Sequence, residues 1–467
     1  MPMRILLAVV ALCAALVVRP MAQSAPRRVS LIVTNATIVT MDASARVVQN
    51  GAIAINGPDI LAVDTAAAIA RQFRATRTID ARGQVVLPGL VNTHTHAPMV
   101  LYRGLADDLA LMEWLEKYIF PAEAKTVSPA FVRAGTRLAA LEMIESGTTT
   151  YADMYYFEEE IARETRSAGL RAVLGQTIIQ FPVADAKTPA EALARAEAFI
   201  TAFKGDPLIT PAVAPHAMYT LDAATLRAAR QLSQRHGVPT LIHLAETRDE
   251  VQTSEAQHKM SPVAYLDSLG FFGPGVLAAH GVWVSAPDIA LLENRRVGIS
   301  HNPESNMKLA SGTAPVPGYL KAGVAVGLGT DGAASNNDLD MFEAMRTASL
   351  LHKLQTGDPR VLSAREALSM ATIGGARALG METQIGSLEP GKRADLIVVS
   401  MRGARQTPLY DPISHLVYVT RGDDVQTTIV NGRILMRDRN VLTLDESAVI
   451  SEAQGWATKV RAAVQQP

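Results

Sequence analysis

The chain reads as an α/β protein: a (β/α)8 TIM barrel with a small β-sandwich that both chain ends build together. Three observations predict this. Between residues 85 and 329, eight short apolar runs alternate with longer amphipathic helical text. Both flanks of that region carry short β-patterned runs separated by turn signals. Six of the ten histidines fall at or just after the ends of the apolar runs, where a barrel enzyme keeps its chemistry.

Composition agrees with one large domain and a smaller one. The 467 residues are 48% hydrophobic and 19% charged, which supports a sizeable core and excludes a disordered chain. The net charge is -1, with no basic stripe and no aromatic RNA motif, so nothing calls for a nucleic-acid partner. A homo-oligomer and a monomer are both compatible with such a chain.

At the start, Arg4 and the apolar run Ile5–Val18 read as a secretory signal, with a small-x-small cleavage site at Ala22-Gln23-Ser24. Residues 1–24 are therefore expected to be removed on export to a periplasmic or secreted destination. No stable membrane span is then expected, although a retained N-terminal anchor is the alternative. Cys13, the only cysteine, falls in this segment, so the mature chain is expected to have no disulfide.

Residues 25–86 form the first part of the sandwich, with runs such as Leu31-Ile-Val-Thr and Ala52-Ile-Ala-Ile. Residues 87–384 hold the barrel. Its strands are expected at Val85–Val91, Thr148–Ala152, Ala172–Thr177, Ile209–Ala214, Thr240–His243, Val276–His280, Val297–Ser300 and Val324–Gly329. A doubly wound sheet is the structural alternative, but no Gly-rich fingerprint follows the first strand. Residues 385–440 return to β pattern, with Ala394-Asp-Leu-Ile-Val-Val and Thr428-Ile-Val-Asn-Gly, and 441–467 form a C-terminal helix or tail.

The strand ends collect the chemistry. His94 and His96 share one face of the first strand because side chains alternate with period two. His216 follows the fourth strand, His243 ends the fifth, His280 the sixth, His301 follows the seventh and Asp331 the eighth. The remaining histidines, His236, His258, His352 and His415, sit in polar or helical text and read as surface or packing residues. Three imidazoles and a carboxylate, from His94, His96, His243 and Asp331, suit one Zn2+, with iron or manganese as alternatives. Glu246, three residues beyond His243, is placed to shuttle protons. His280 is placed to orient a water and accept its proton together with Asp331. A second metal commonly needs a bridging carboxylated lysine, and none of Lys117, Lys125, Lys187 or Lys204 ends an expected strand, so one ion is expected.

The run Pro88-Gly-Leu-Val-Asn-Thr-His-Thr-His96 resembles the first-strand signature of the amidohydrolase superfamily. So do His243-Leu-Ala-Glu246, Ser300-His-Asn-Pro-Glu-Ser-Asn306 and Gly329-Thr-Asp-Gly332. Within it the segment Met99–Glu123 is similar to the methylthioadenosine/S-adenosylhomocysteine deaminases and their chlorohydrolase relatives. That resemblance implies a mononuclear zinc barrel that deaminates an adenine nucleoside hydrolytically. It implies that Glu123 holds ribose hydroxyls, that His216, Glu246 and Asp331 contact substrate, and that Glu246, His280 and Asp331 are catalytic. The subgroup usually carries an arginine just after the third strand to grip a homocysteine carboxylate. Here Gly175 and Gln176 stand at that point, and Arg171 lies earlier. Adenosine, methylthioadenosine or a related nucleoside is therefore the expected substrate ahead of S-adenosylhomocysteine. The competing expectations are a hydrolase of another heteroaromatic ring, such as a triazine or pterin, and a periplasmic binding protein without catalysis.

Overall fold

The computed structural model describes residues 25–465. The expected signal segment lies outside them. Among the described residues no helix is long and apolar enough to cross a membrane.

Two β systems organise the chain. The terminal sheet takes β1 (Arg27–Val39), β2 (Val47–Asn56), β3 (Asp59–Thr65), β4 (Phe73–Asp80) and β5 (Gln84–Pro88) from the beginning of the described chain. The barrel is built from β6 (Leu90–Thr95), β7 (Thr148–Tyr155), β8 (Arg171–Ile178), β9 (Ile209–Pro215), β10 (Thr240–Leu244), β11 (Val276–His280), β12 (Gly298–His301) and β13 (Val326–Leu328). The sheet is then completed by β14 (Leu396–Ser400), β15 (Val425–Val430), β16 (Arg433–Arg437) and β17 (Asn440–Val441).

The barrel closes in the order β10-β11-β12-β13-β6-β7-β8-β9, and all its assigned strand pairings are parallel. Its strands are buried on both faces, as parallel strands covered by helices must be; every residue of β7 and of β8 is buried. Seven of the expected runs match β7 to β13 with end shifts of at most three residues.

The first expected run, Val85–Val91, is corrected. It is two strands, not one. β5 pairs with β1 and β14 in the terminal sheet, whereas β6 joins the barrel. The break has a local cause. Pro88 has no N–H to continue a ladder. At Gly89 a Cβ would lie 2.1 Å from the Thr149 side chain, so only glycine lets the chain pass from one sheet to the other. Leu87 and Pro88 thus lie in the terminal sheet.

That sheet is one continuous nine-stranded ladder in the order β17-β16-β15-β14-β5-β1-β2-β3, with β4 on β1. Apolar side chains from both chain ends share one core: Leu31, Ile53 and Ile55 cluster with Leu396, Val398 and Ile429. The sheet is pinned to the barrel by a buried ion pair, Arg171 Nε to Asp395 Oδ2 at 2.7 Å, and Asp395 Oδ1 also accepts from the Asn431 N–H at 2.6 Å. The C-terminal helix Glu446–Gln465 packs on the helix Pro129–Ser146 through Trp456 edge-on to Phe131, ring centroids 5.4 Å apart.

Candidate active site

Five of the six strand-end histidines converge at one mouth of the barrel. His94 lies with its ring centroid 4.9 Å from His96, 5.0 Å from His243 and 5.5 Å from His280. His216 stands 4.8 Å from His243. His301 does not join them. It is buried, with its Nε2 3.2 Å from Nε2 of His352, which is buried as well and is thus a packing residue, one of the two readings its sequence allowed.

The tautomers follow from the second nitrogens. A carbonyl oxygen can only accept, so Nδ1–H of His96 donates to the Met154 carbonyl at 2.6 Å, and Nδ1–H of His243 to the His216 carbonyl at 2.8 Å. Both neutral rings then present an Nε2 lone pair, and these two atoms are 3.3 Å apart. Asp331 Oδ1 lies 3.4 Å from His94 Nε2 and 3.3 Å from His96 Nε2. Among the described residues the buried His94 Nε2 has no hydrogen-bond partner. Burial pushes the His94 pKa down to about 4 and holds that of His243 well below the ordinary value, so their lone pairs stay free at neutral pH. Lone pairs facing one another in a buried pocket call for a cation. The donor set fits a divalent metal, and two overlapping donor groups stand ready: His94, His96 and Asp331, and His94, His243 and His280.

Around this cluster the titratable groups are pushed apart. Burial would raise the Asp331 pKa, but the imidazoles facing it, His94 at 3.4 Å first among them, with His280 and His96, hold it well below the usual carboxylate range. Burial raises Glu246. His280 is driven down by burial, yet Glu246 and Asp331 outweigh that and hold it above an ordinary histidine. Its Nε2 is 3.6 Å from Glu246 Oε2 and 3.9 Å from Asp331 Oδ2. One anionic carboxylate beside one protonatable carboxyl is an arrangement for moving protons.

The cavity above, open to solvent on one side, offers about 640 Å³ of space, part of it open solvent. Its floor is His96, His216, His243, Glu246, His280 and Asp331. Its wall is apolar, from Leu111, Trp114, Leu115, Ile119 and Phe120 of the helical segment Leu111–Thr126, closed by Tyr155, Tyr156 and Tyr219. One carboxylate interrupts that wall. Glu123 is buried and accepts from the Tyr155 hydroxyl at 2.6 Å; burial lifts its pKa to about 7 although Tyr155 opposes the rise. Among the described residues no Lys or Arg lines the cavity. Gly175 packs against Ala214, Gln176 Nε2 donates to Asp185 Oδ2 at 2.9 Å, and Arg171 is spent on Asp395, so none of them reaches it.

Sequence reasoning missed the braces. Ser305 Oγ donates to Asp331 Oδ2 at 2.7 Å, and Asn306 Oδ1 accepts from His280 Nδ1–H at 2.8 Å. The Thr95 hydroxyl donates to Asp153 Oδ1 at 2.7 Å beside His96. Glu250 binds the backbone before it. Only Glu250 left a signal, as the fourth residue of a Thr247-x-x-Glu box.

Known proteins share this architecture. Residues 85–435 match the amidohydrolase family. Over 434 residues the chain is 48% identical to a 5-methylthioadenosine/S-adenosylhomocysteine deaminase of Syntrophobacter fumaroxidans, spanning 93% of this chain and 99% of that one. It is 47% identical to a 5'-deoxyadenosine deaminase of Methanosarcina mazei, spanning 93% of this chain and 99% of that one. A crystal structure of an adenosine deaminase from Xanthomonas campestris with bound zinc superposes with a TM-score of 0.92 at 39% identity, covering 94% of this chain and 100% of the other. The family match spans the barrel and runs on through β14 and β15 into β16 of the terminal sheet, and the donor cluster lies inside it: the chain belongs to the amidohydrolase family and is a hydrolytic aminohydrolase.

Proposed function

We propose that the enzyme uses one zinc ion to deaminate adenine nucleosides that carry no charged 5′ substituent: adenosine, methylthioadenosine or 5′-deoxyadenosine. One observation carries the reading. A floor that can hold metal and move protons faces an apolar wall containing a single buried carboxylate, Glu123, and no cation. The names of the relatives and the zinc in the Xanthomonas protein support the same choice.

His94, His96, His243 and Asp331 would hold the ion. Bound there, it supplies Lewis acidity that brings the pKa of a water toward neutrality. Asp331, kept anionic, and His280, poised to hold a proton, take the proton that the attacking water loses. Glu246, raised by burial, protonates the ring nitrogen; the proton taken from the water then reaches Glu246 through His280, 3.6 Å away, and passes to the departing amine, and the hydroxyl left on the ring returns a proton to Glu246 as the carbonyl forms. His216 fixes the base. Glu123 accepts from ribose hydroxyls, which a bare ring does not have. A homocysteine carboxylate would find no arginine fork, so S-adenosylhomocysteine is the poorest of the family's nucleosides here.

The test is ammonia release by the zinc-loaded protein from adenosine, methylthioadenosine, 5′-deoxyadenosine, S-adenosylhomocysteine, a triazine and a pterin. The expected order puts the three uncharged nucleosides first, with kcat/KM for S-adenosylhomocysteine roughly tenfold or more lower. Release from the triazine or pterin alone, or from nothing, overturns the assignment.

A further inference from the structure

We propose that Glu250 is a positioning residue: it holds the Glu246 carboxyl in the cavity by clamping the backbone turn that presents it. This rests on the reading of Glu246 as proton shuttle.

β10 ends at Leu244, and the next residue, Ala245, has φ of +47°, a left-handed conformation that a residue with a Cβ seldom adopts. The turn needs holding, and two devices hold it. From one side, Glu250 Oε1 accepts from the Ala245 N–H at 3.0 Å and Oε2 from the Glu246 N–H at 2.9 Å. From the other, the Ala245 carbonyl accepts from the N–H groups of Val282 at 3.1 Å and Trp283 at 2.9 Å. Those two residues follow His280, so the turn ties the strand end bearing the shuttle to the strand end bearing its proton partner.

The side chain of Glu246 is itself lightly held. Its hydrogen-bond contact is Ser311 Oγ at 3.5 Å, and His280 Nε2 stands 3.6 Å away. Its aim therefore depends on its backbone. Glu250 opens the helix Arg248–His258, and a glutamate there ordinarily reaches back to the N–H of the capping residue, Thr247. Glu250 instead spends both oxygens on the two residues ahead of the cap. It is 5% exposed and forms no ion pair among the described contacts. Burial pushes its pKa up to about 7, against the pull of the two N–H groups. A buried carboxylate in no ion pair among the described residues, both oxygens on one turn, fits a role in orienting that turn.

The experiment is a double-mutant cycle on the zinc-loaded full chain: wild type, Glu250→Gln, Glu246→Gln and the double variant, with kcat, KM, zinc content and thermal midpoint measured for each. Glu250→Gln keeps one acceptor and turns an amide N–H toward a backbone N–H, which loosens the turn. A misaimed shuttle lowers kcat by roughly 10- to 100-fold with zinc content kept and KM within about threefold. In the Glu246→Gln background the same change should cost less than about twofold, because the group it aims is gone. Equal losses in both backgrounds, or no loss in either, overturn the clamp and leave Glu250 a structural residue. If Glu250→Gln fails to fold, Glu250→Asp, which keeps the charge on a shorter arm, is read in the same cycle. Should Glu246→Gln itself leave kcat unchanged, the shuttle assignment falls, an outcome separate from the failure of the clamp.

Discussion

The floor and the wall of the active cavity are built by opposite means. On the floor, nearly every functional atom has a second contact that fixes it: carbonyls of Met154 and His216 on the rings of His96 and His243, Ser305 on Asp331, Asn306 on His280. These groups sit at the ends of barrel strands, and two of them, His280 and Asp331, have φ of +71° and +66°, strained backbone of the kind that clusters at working sites. Most of the wall comes from one helical segment, Leu111–Thr126, interrupted by a π-helical turn at Leu115–Ile119. It offers apolar surface and one carboxylate. Rigid strand ends carry chemistry that tolerates little displacement; a helical insertion carries shape, which can change while the chemistry stays.

The two halves should fail differently. Chelation, or His243→Ala, strikes the floor hardest: turnover is expected to fall by about 10³-fold or more, the scale of several kcal/mol. Added zinc should restore the chelated wild type and not the variant. Recovery of His243→Ala by zinc would remove that histidine from the donor set. Glu246→Gln comes next, with kcat down by roughly 10²- to 10⁴-fold, as expected when a general acid is lost, and KM little changed. A loss confined to KM would make Glu246 a binding group.

Breaking the wall should touch affinity and spare the chemistry. If Glu123 holds ribose as proposed, Glu123→Ala removes charge-assisted bonds worth about 1.5–3 kcal/mol, and kcat/KM for nucleosides should fall by roughly 10- to 100-fold. Turnover of free adenine should stay as it was; equal losses for both would end the ribose role. The raised pKa adds a pH signature. Below about 7 the Glu123 carboxyl is protonated, so KM for nucleosides should climb as pH falls through that value, and should be flat in Glu123→Gln. The stability sign is the reverse. A carboxyl whose pKa is raised on folding binds its proton more tightly in the folded chain, so stability drains as pH rises from 4.5 toward about 7. Glu123→Gln should therefore unfold at a higher temperature than wild type at pH 8.

What could be read beforehand follows the same division. His94 and His96 announce themselves because period two puts neighbours-but-one on one face and an apolar run points that face at a core. Glu246 and Asp331 stand in short motifs at strand ends. Glu123 is different: a glutamate in helical text looks like any solvated carboxylate, and only family resemblance singled it out. Asp153, Ser305 and Asn306 act through contacts made by residues far apart in the chain, which no local pattern encodes. The break at Gly89 was missed for a related reason. Val85–Val91 is one apolar run by composition, and only the approach of Thr149 from another strand divides it.

The finest separation of floor from wall lies at Tyr155, where they meet. Its ring centroid is 6.4 Å from that of His96, its N–H donates to Glu158 Oε1 at 2.8 Å, and its hydroxyl donates to Glu123. Tyr155→Phe keeps the ring that lines the cavity and deletes one donor. One hydrogen bond of about 1 kcal/mol at Glu123 predicts a rise of roughly fivefold in KM for a nucleoside, with kcat unmoved. The same bond holds the Glu123 pKa down against burial, so its loss should carry the midpoint of the KM–pH curve above about 7. A fall in kcat with KM constant would mean that Tyr155 acts on the floor through His96, and the boundary between the two halves would then run on the other side of this residue.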